Sequence, residues 1–298
     1  MVAAAPGALF GLWVVGQIVR DRTWLTGLCF YFPSLLCAAL LAAGAGWLLW
    51  RSRRRLALLF AALALVPLLT ALFAENHWHA PPSHAASDQD LRLVHWNVFY
   101  HKMGWERIHS RMGEENADFY LLSEVWPSAD IDVMAKMLGE DYTALWIGNM
   151  AVMARGELRS RERLQVDGAR PYLVEWRYDG VDLLVLAVDV QANVLRKRVP
   201  VMRKLREMIR VHRPDIVAGD FNTPRLSLGL RELPTGYTHA YDRAGSGWSY
   251  TWPAPVPMLA IDQCITGPRL ALVNYAIHPT ALSDHCMQVL DFRGPDSN

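Results

Sequence analysis

Charge is almost missing from the first quarter of this 298-residue chain. Between Met1 and Ala74 the charged residues are Arg20, Asp21 and Arg22, then Arg51, Arg53, Arg54 and Arg55, and the remainder is nearly all apolar. Helices buried in a soluble core would show a polar face at helical spacing; none of the three long apolar stretches does, which excludes that reading. A basic surplus is missing as well. With the six arginines and one aspartate of residues 1–74 set aside, 24 basic and 28 acidic residues remain, a balance of −4. A surface built to coat nucleic acid is usually basic. No internal repeat and no low-complexity tract occurs, so a solenoid or repeat array is not indicated. Cysteine is scarce and decides little: Cys29 and Cys37 lie in the apolar quarter, while Cys264 and Cys286 either pair or stay as free buried thiols.

What is present is apolar sequence, 52% of the chain, concentrated at the start. Met1 to Val19, Tyr31 to Trp50 and Leu56 to Ala74 each approach the roughly 20 apolar residues that cross a bilayer. A cleaved signal peptide is the rival for the first, but that stretch lacks a basic n-region and runs almost directly into the second. Short loops rich in Lys and Arg stay cytoplasmic, so the RSRRR loop at 51–55 is expected inside. The third span then runs outward and carries everything after Ala74 to the extracytoplasmic side. The expected domains are a membrane anchor at 1–74, a linker at 75–90 (ENHWHAPPSHAASDQD) and a catalytic domain at 91–298. His77, His79 and His84 read as part of a polar linker rather than a metal tract.

Beyond the linker, apolar runs alternate with a few amphipathic segments. Strands are expected at 91–98, 117–125, 143–148, 150–155, 173–178, 181–190, 215–221, 259–266 and 286–292, and helices at 104–116, 128–138 and 199–212. In the last helix Val199, Met202, Leu205, Met208 and Ile209 share one face. The strands share an oddity: they end in, or carry, residues that dislike both strands and cores. IVAGDFN at 216–222 is the clearest, finishing in Asp220 and Asn222. Asn97, Glu124 and Asp262 sit in similar places, and Ser283, Asp284 and His285 precede the last strand.

If these ends meet at one edge of a sheet sandwich, carboxylates, amides and an imidazole gather there. Glu124, Asp284 and Asn97 offer oxygen ligands suited to Mg²⁺, with Mn²⁺ as the alternative. His285, oriented by Asp262, suits a donor to a phosphoryl transition state, and Asp220 suits positioning or deprotonating water. Asn222 would fix Asp220 and donate to a phosphoryl oxygen. The cluster reads as metal-assisted phosphate ester hydrolysis.

At these residues the sequence resembles the endonuclease/exonuclease/phosphatase superfamily, whose members include DNase I and neutral sphingomyelinases. The matching motifs are LVHWNV, LLSEV, GNMAVMAR, GDFNTP, TWP, IDQ and SDH, in the family's order. The resemblance implies a four-layer α/β sandwich of two packed mixed β-sheets flanked by helices, here preceded by an N-terminal transmembrane region. One position departs: most members carry a histidine, a proposed general acid, at the end of the strand LLVLAVDV, and here Asp189 stands in its place. Either the Asp189 carboxylate serves as the catalytic acid, with a raised pKa, or the leaving group needs little protonation, as the phosphate of a pyrophosphate does. Three spans with an extracytoplasmic domain look like the teichoplanin-resistance type of bacterial membrane protein in this superfamily. The expectation is therefore a multi-pass cell-membrane hydrolase of a lipid-linked phosphate such as undecaprenyl pyrophosphate. A nuclease or phospholipid phosphodiesterase, with nucleic acid as the less favoured partner, and a lipid-phosphate-binding pseudoenzyme are the alternatives.

Overall fold

Two kinds of burial organise the protein, whose computed structural model describes residues 4–78, 90–127 and 129–294. The first part is helical: α1 (Ala4–Val19), α2 (Trp24–Phe30), α3 (Ser34–Trp50) and α4 (Arg54–Thr70), with α4 continuing into a π-helical turn at Ala71–Glu75. Trp13, Leu41, Leu48, Ala57 and Phe60 pack among these helices. Ile18, Leu49, Trp50, Leu58 and Phe73 are exposed, an apolar outer surface that water would not favour. Arg54–Glu75 is long and apolar enough to cross a membrane; α2 and α3 pass the same test only as a pair bent by 63°, and α1 is a shorter apolar helix. Residues 1–3 of the first expected span, and most of the linker including His79 and His84, lie outside the described residues.

The second part is a sandwich. Its strands are β1 (Leu91–Asn97), β2 (Phe119–Ser123), β3 (Tyr142–Ile147), β4 (Met150–Arg155), β5 (Glu157–Arg163), β6 (Ala169–Tyr178), β7 (Val181–Val190), β8 (Ile216–Asp220), β9 (Thr238–His239), β10 (Asp262–Thr266), β11 (Ala271–His278) and β12 (Met287–Arg293). Its helices are α5 (Trp105–Glu115), α6 (Ile131–Leu138), α7 (Arg198–His212), α8 (Leu228–Arg231) and α9 (Ala240–Ala244). One six-stranded sheet runs β11-β12-β1-β2-β4-β3 and the other β5-β6-β7-β8-β10-β9. β1 with β2, and β7 with β8, are parallel within otherwise antiparallel sheets, so both sheets are mixed.

Because successive side chains in a strand point to opposite faces, each central strand feeds two cores. Leu93, Phe119, Leu121, Val152, Trp176, Val185, Ala218 and Leu290 fill the layer between the sheets. Val94, Tyr120, Leu122 and Met153 face α5 and α6 on one outside, and Leu186, Val188 and Val217 face Met202, Leu205 and Ile209 of α7 on the other. The result is the four-layer α/β sandwich. Three strands escaped the sequence reading, β5, β9 and β11, and each lies at an edge of its sheet. An edge strand with little burial carries charge where a central strand carries apolar residues; ELRSRER in β5 shows it. Cys264 and Cys286 are both buried and free.

The two parts meet through polar contacts. Arg20 Nη1 donates to the Leu226 carbonyl at 2.5 Å, and Asp21 Oδ1 accepts from the Leu228 amide at 2.8 Å. Ser34 Oγ and Tyr250 Oη each donate to the Glu75 carboxylate at 2.5 Å, and Asn76 Oδ1 accepts from the Ser249 amide at 2.6 Å. The end of α1, the start of α3 and the end of α4 therefore all face the sandwich. The turn at 51–53 lies a helix length away, about 25 Å for the 17 residues of α3.

Candidate active site

The layer between the sheets is apolar for most of its length and then changes character. On β1 the inward residues run Leu91, Leu93, His95, Asn97; on β2, Phe119, Leu121, Ser123; on β7, Val185, Ala187, Asp189; on β8, Ile216, Ala218, Asp220. β10 is antiparallel to β8, so its first residue, Asp262, pairs with the last of β8, Asp220. Asp189 pairs with Asp220 and Arg170 with Asp189, giving one lateral row of Arg170, Asp189, Asp220 and Asp262 across four strands. Gly219 allows the row to form. It has φ of +148°, and a Cβ there would fall 1.8 Å from the Val188 carbonyl oxygen of the neighbouring strand.

Asp220 is held from three directions. Asn97 Nδ2 donates to its Oδ2 at 3.1 Å, Asn222 Nδ2 to the same oxygen at 3.0 Å, and the Asn222 amide to its Oδ1 at 2.8 Å. Asn222 sits at φ +45°, a conformation its short polar side chain tolerates. Its other amide hydrogen goes to the Val190 carbonyl at 2.8 Å, so both hydrogens are engaged and the residue fixes Asp220. His285 Nδ1 lies 2.8 Å from Asp262 Oδ2 and His285 Nε2 lies 4.0 Å from Asp220 Oδ2. The SDH turn is itself anchored to β1: Ser283 Oγ donates to the Asn97 carbonyl at 2.6 Å, and Trp96 Nε1 donates to the His285 carbonyl at 3.1 Å.

Burial and neighbouring charge then divide the protonation states. Burial, reinforced by the charge of Asp262, drives the Asp220 carboxyl well above its ordinary range. Burial alone would lower His285, but the charge and hydrogen bond of Asp262, with Asp220 and Asp284, outweigh it and raise the imidazole to about 10. Burial would likewise raise Asp262, and His285 reverses that, pulling the carboxyl below its usual value. The pair is an imidazolium on a carboxylate. His95, two residues before Asn97 on the same face, is fully buried and its pKa is lowered, mainly by burial. Its ring nitrogens sit 3.0 Å from Gln288 Oε1 and 3.1 Å from Ser123 Oγ, and Nδ1 is 4.0 Å from Asp262 Oδ1. It backs Asp262 from the side away from His285.

Glu124 follows β2 at φ +54°, a left-handed conformation rare for a residue with a long side chain. Two backbone bonds hold it there, from the Tyr100 amide to the Glu124 carbonyl at 2.7 Å and from the Val125 amide to the Asn149 carbonyl at 3.0 Å. Its carboxyl is raised by burial, with the charges of Asp189 and Asp284 adding to the rise and Asn97 and His285 opposing it. Asp284 Oδ2 accepts from Trp252 Nε1 at 3.2 Å, while Oδ1 is buried with no hydrogen-bond partner among the described residues. A buried carboxylate oxygen without a partner beside a second carboxylate that resists ionising fits a divalent cation held by Glu124 and Asp284. Asn97 Oδ1 accepts the Phe99 amide at 3.0 Å and keeps one lone pair for such an ion. Asp220, Asp262 and His285 also bring ligand atoms within 4.8 Å of one another. Asp220 is occupied by Asn97 and Asn222, and Asp262 Oδ2 by His285, whose raised pKa keeps the ring protonated and unfit as a ligand. Glu124 and Asp284 are therefore the better cation site, although Asp262 Oδ1, like Asp284 Oδ1, has no hydrogen-bond partner among the described residues.

All eight residues nominated from the sequence therefore lie at this end of the sandwich. Asp189 differs from the rest: its carboxylate accepts from Arg170 Nη1 at 2.9 Å. Two participants were missed. His95 was visible by strand periodicity from Asn97, whereas Arg170 becomes a neighbour only through pairing of β6 with β7. Of the tryptophans, Trp96 is buried core, Trp252 touches Asp284, and Trp126 and Trp248 are exposed at the surface.

This architecture and site define a class. The Endonuclease/Exonuclease/phosphatase family model matches residues 94–285, more than half of the chain, and the chain belongs to that family. Among solved structures it is similar to humanized D. rerio TDP2, with TM-score 0.54 and 16% identity over 69% of this chain and 100% of that one. It is also similar to the mannosyl-6-phosphatase Bt3783 of Bacteroides thetaiotaomicron VPI-5482, with TM-score 0.55 and 14% identity over 68% of this chain and 99% of that one. A functionally unknown conserved protein of Enterococcus faecalis V583 gives TM-score 0.55 and 13% identity over 68% and 100%. Likeness at these identities concerns the fold. A search of curated proteins returns no match.

Proposed function

We propose that the protein is a membrane-tethered, divalent-metal-dependent hydrolase of a lipid-linked phosphate or pyrophosphate, of which undecaprenyl pyrophosphate is the type. The observation that carries the chemistry is the His285–Asp262 ion pair beside Asp220, opposite Glu124 and Asp284. Asp220, made a stronger base by burial and fixed by Asn97 and Asn222, takes the proton of the attacking water. His285, kept protonated by Asp262, donates to a non-bridging phosphoryl oxygen as charge develops there. Glu124 and Asp284, with Asn97 Oδ1, would hold Mg²⁺ or Mn²⁺, which when bound neutralises phosphoryl charge.

The tether reading draws on the apolar outer surface of α1, α3 and α4 and on the polar contacts that turn Arg20–Asp21 and Glu75–Asn76 toward the sandwich. The arginines at 51–55 then lie on the side away from the site, and the preference of such loops for the cytoplasm supports an extracytoplasmic site. A reporter active only outside the cytoplasm should work when fused after Asn298 and fail when inserted at 51–55; the reverse pattern removes the cell-wall lipid reading. For substrate, the full chain in detergent should hydrolyse prenyl pyrophosphates with Mg²⁺ and lose activity with chelator. Turnover of DNA alone would favour a nuclease, and lipid-phosphate binding without any turnover would favour a pseudoenzyme.

A further inference from the structure

We infer that Arg170, held in place by Asp189, is the receptor for the departing phosphate of a diphosphate substrate, an inference that rests on the hydrolase reading above. The lateral row carries it. Arg170, Asp189, Asp220 and Asp262 occupy paired positions on four neighbouring strands and so project from the same face. With strands about 4.8 Å apart, Arg170 stands roughly 10 Å along the row from Asp220. His285 and Asp262 close the opposite end.

The guanidinium is fixed and available at once. Asp189, whose side chain is 7% exposed, takes Nη1 at 2.9 Å, while the Arg170 side chain remains 42% exposed. An arginine has five N–H donors in a planar fork, and one ion pair leaves the others free for a phosphate. The group also belongs to the cleft rather than to the outer surface. On β6 it continues the inward-facing line of Trp176, Val174 and Tyr172, which fill the layer between the sheets, so it stands at the polar end of that layer.

The chemistry that uses this arrangement is specific. The water oxygen bonds to the terminal phosphorus and its proton passes to Asp220. The bond from that phosphorus to the bridging oxygen breaks, and the electron pair leaves with the bridging oxygen. The products are inorganic phosphate and a lipid monophosphate, whose new negative charge forms where Arg170 stands. A guanidinium stays protonated throughout, so it stabilises a departing phosphate but does not give a proton to an alkoxide. The site is thereby selective for phosphoanhydrides over alkyl phosphodiesters.

The test uses the full chain in detergent with Mg²⁺, comparing wild type with Arg170→Gln and Arg170→Lys. By calorimetry, wild type should bind inorganic pyrophosphate more tightly than orthophosphate. Arg170→Gln should weaken pyrophosphate ~10–100-fold, the range of a lost charged hydrogen bond, and orthophosphate less. Arg170→Lys, which keeps the charge without the fork, should fall between, and it serves if Arg170→Gln fails to melt cooperatively. In turnover, Arg170→Gln should lower kcat on farnesyl diphosphate ~10²–10³-fold, at least ~10-fold more than on an alkyl phosphodiester. Unchanged pyrophosphate affinity in both variants overturns the receptor whatever the wild type hydrolyses. Arg170-dependent pyrophosphate binding in a wild type that hydrolyses no diphosphate keeps the receptor and overturns the hydrolase reading instead.

Discussion

At one end of the layer between the sheets, Phe119, Leu121, Trp176 and Val185 interlock without a polar atom to satisfy except the Trp176 indole, which donates to the Arg155 carbonyl at 2.8 Å. At the other end the same strands, in the same register, offer His95, Asn97, Asp189, Asp220 and Asp262. The backbone geometry is common to both; only the side-chain chemistry changes. The apolar end removes surface from water and contributes stability. The polar end buries Asp220 and Asp262, whose ionisation burial opposes, and hydrogen bonds from Asn97, Asn222 and His285 offset that cost. Stability and chemistry are thus separated along a single layer, and substitutions at its two ends should have different readouts.

The largest effect is expected at the polar end. Asp220→Ala should lower turnover by about 10²–10⁴, the range of a lost general base, with the thermal midpoint changed far less than by an apolar-end deletion. Turnover at wild-type rates in a folded Asp220→Ala protein would remove the residue from the chemistry. Next is Trp176→Ala at the apolar end, expected to cost about 3–5 kcal/mol in denaturant unfolding, with kcat per folded molecule retained. A fall in kcat well beyond the unfolded fraction would show that the two ends are coupled, contrary to the comparison.

Glu124→Ala should act through the metal requirement. The Mg²⁺ concentration for half-maximal activity is expected to rise by more than the ~10–100-fold typical of losing an outer-sphere partner, and an unchanged Mg²⁺ titration would reassign the cation site.

The smallest effect lies at the C-terminal end of α5, in an ion-pair cluster around the buried Glu115 that belongs to neither end. Burial would raise the Glu115 carboxyl, but hydrogen bonds from His278 and Arg111 reverse this and lower its pKa. A carboxyl lowered in the folded state stabilises fully above its unfolded pKa and loses that contribution as pH falls through the folded value. The melting difference between wild type and Glu115→Gln should therefore be largest near neutrality and shrink below about pH 4.5, near the unfolded value. A difference that stays constant down to pH 3 would detach the pair from stability.

The readable parts of the sequence were those whose signal is local. Helix α7 was legible because its apolar residues repeat at helical spacing, and the central strands because burial on both faces makes them continuous apolar runs. The edge strands β5, β9 and β11 were not: charge replaces the apolar pattern in β5, β9 has two residues, and Asn274 interrupts β11, whereas the edge strand β3 keeps enough apolar residues to be read. Within the site, the catalytic candidates stood out as polar interruptions of apolar runs.

The order of residues was enough to show which ones break the apolar runs, and hence the family, the central strands and the eight candidates at the polar end. Their partners emerged from the packing of the strands. Asn222 has its amide hydrogens engaged by Val190 and Asp220, His95 supports Asp262, and Asp189 anchors Arg170. The reason is physical: alternation along a strand is written residue by residue, whereas the partner across a sheet depends on register, which is fixed jointly by the packing of all the strands around it.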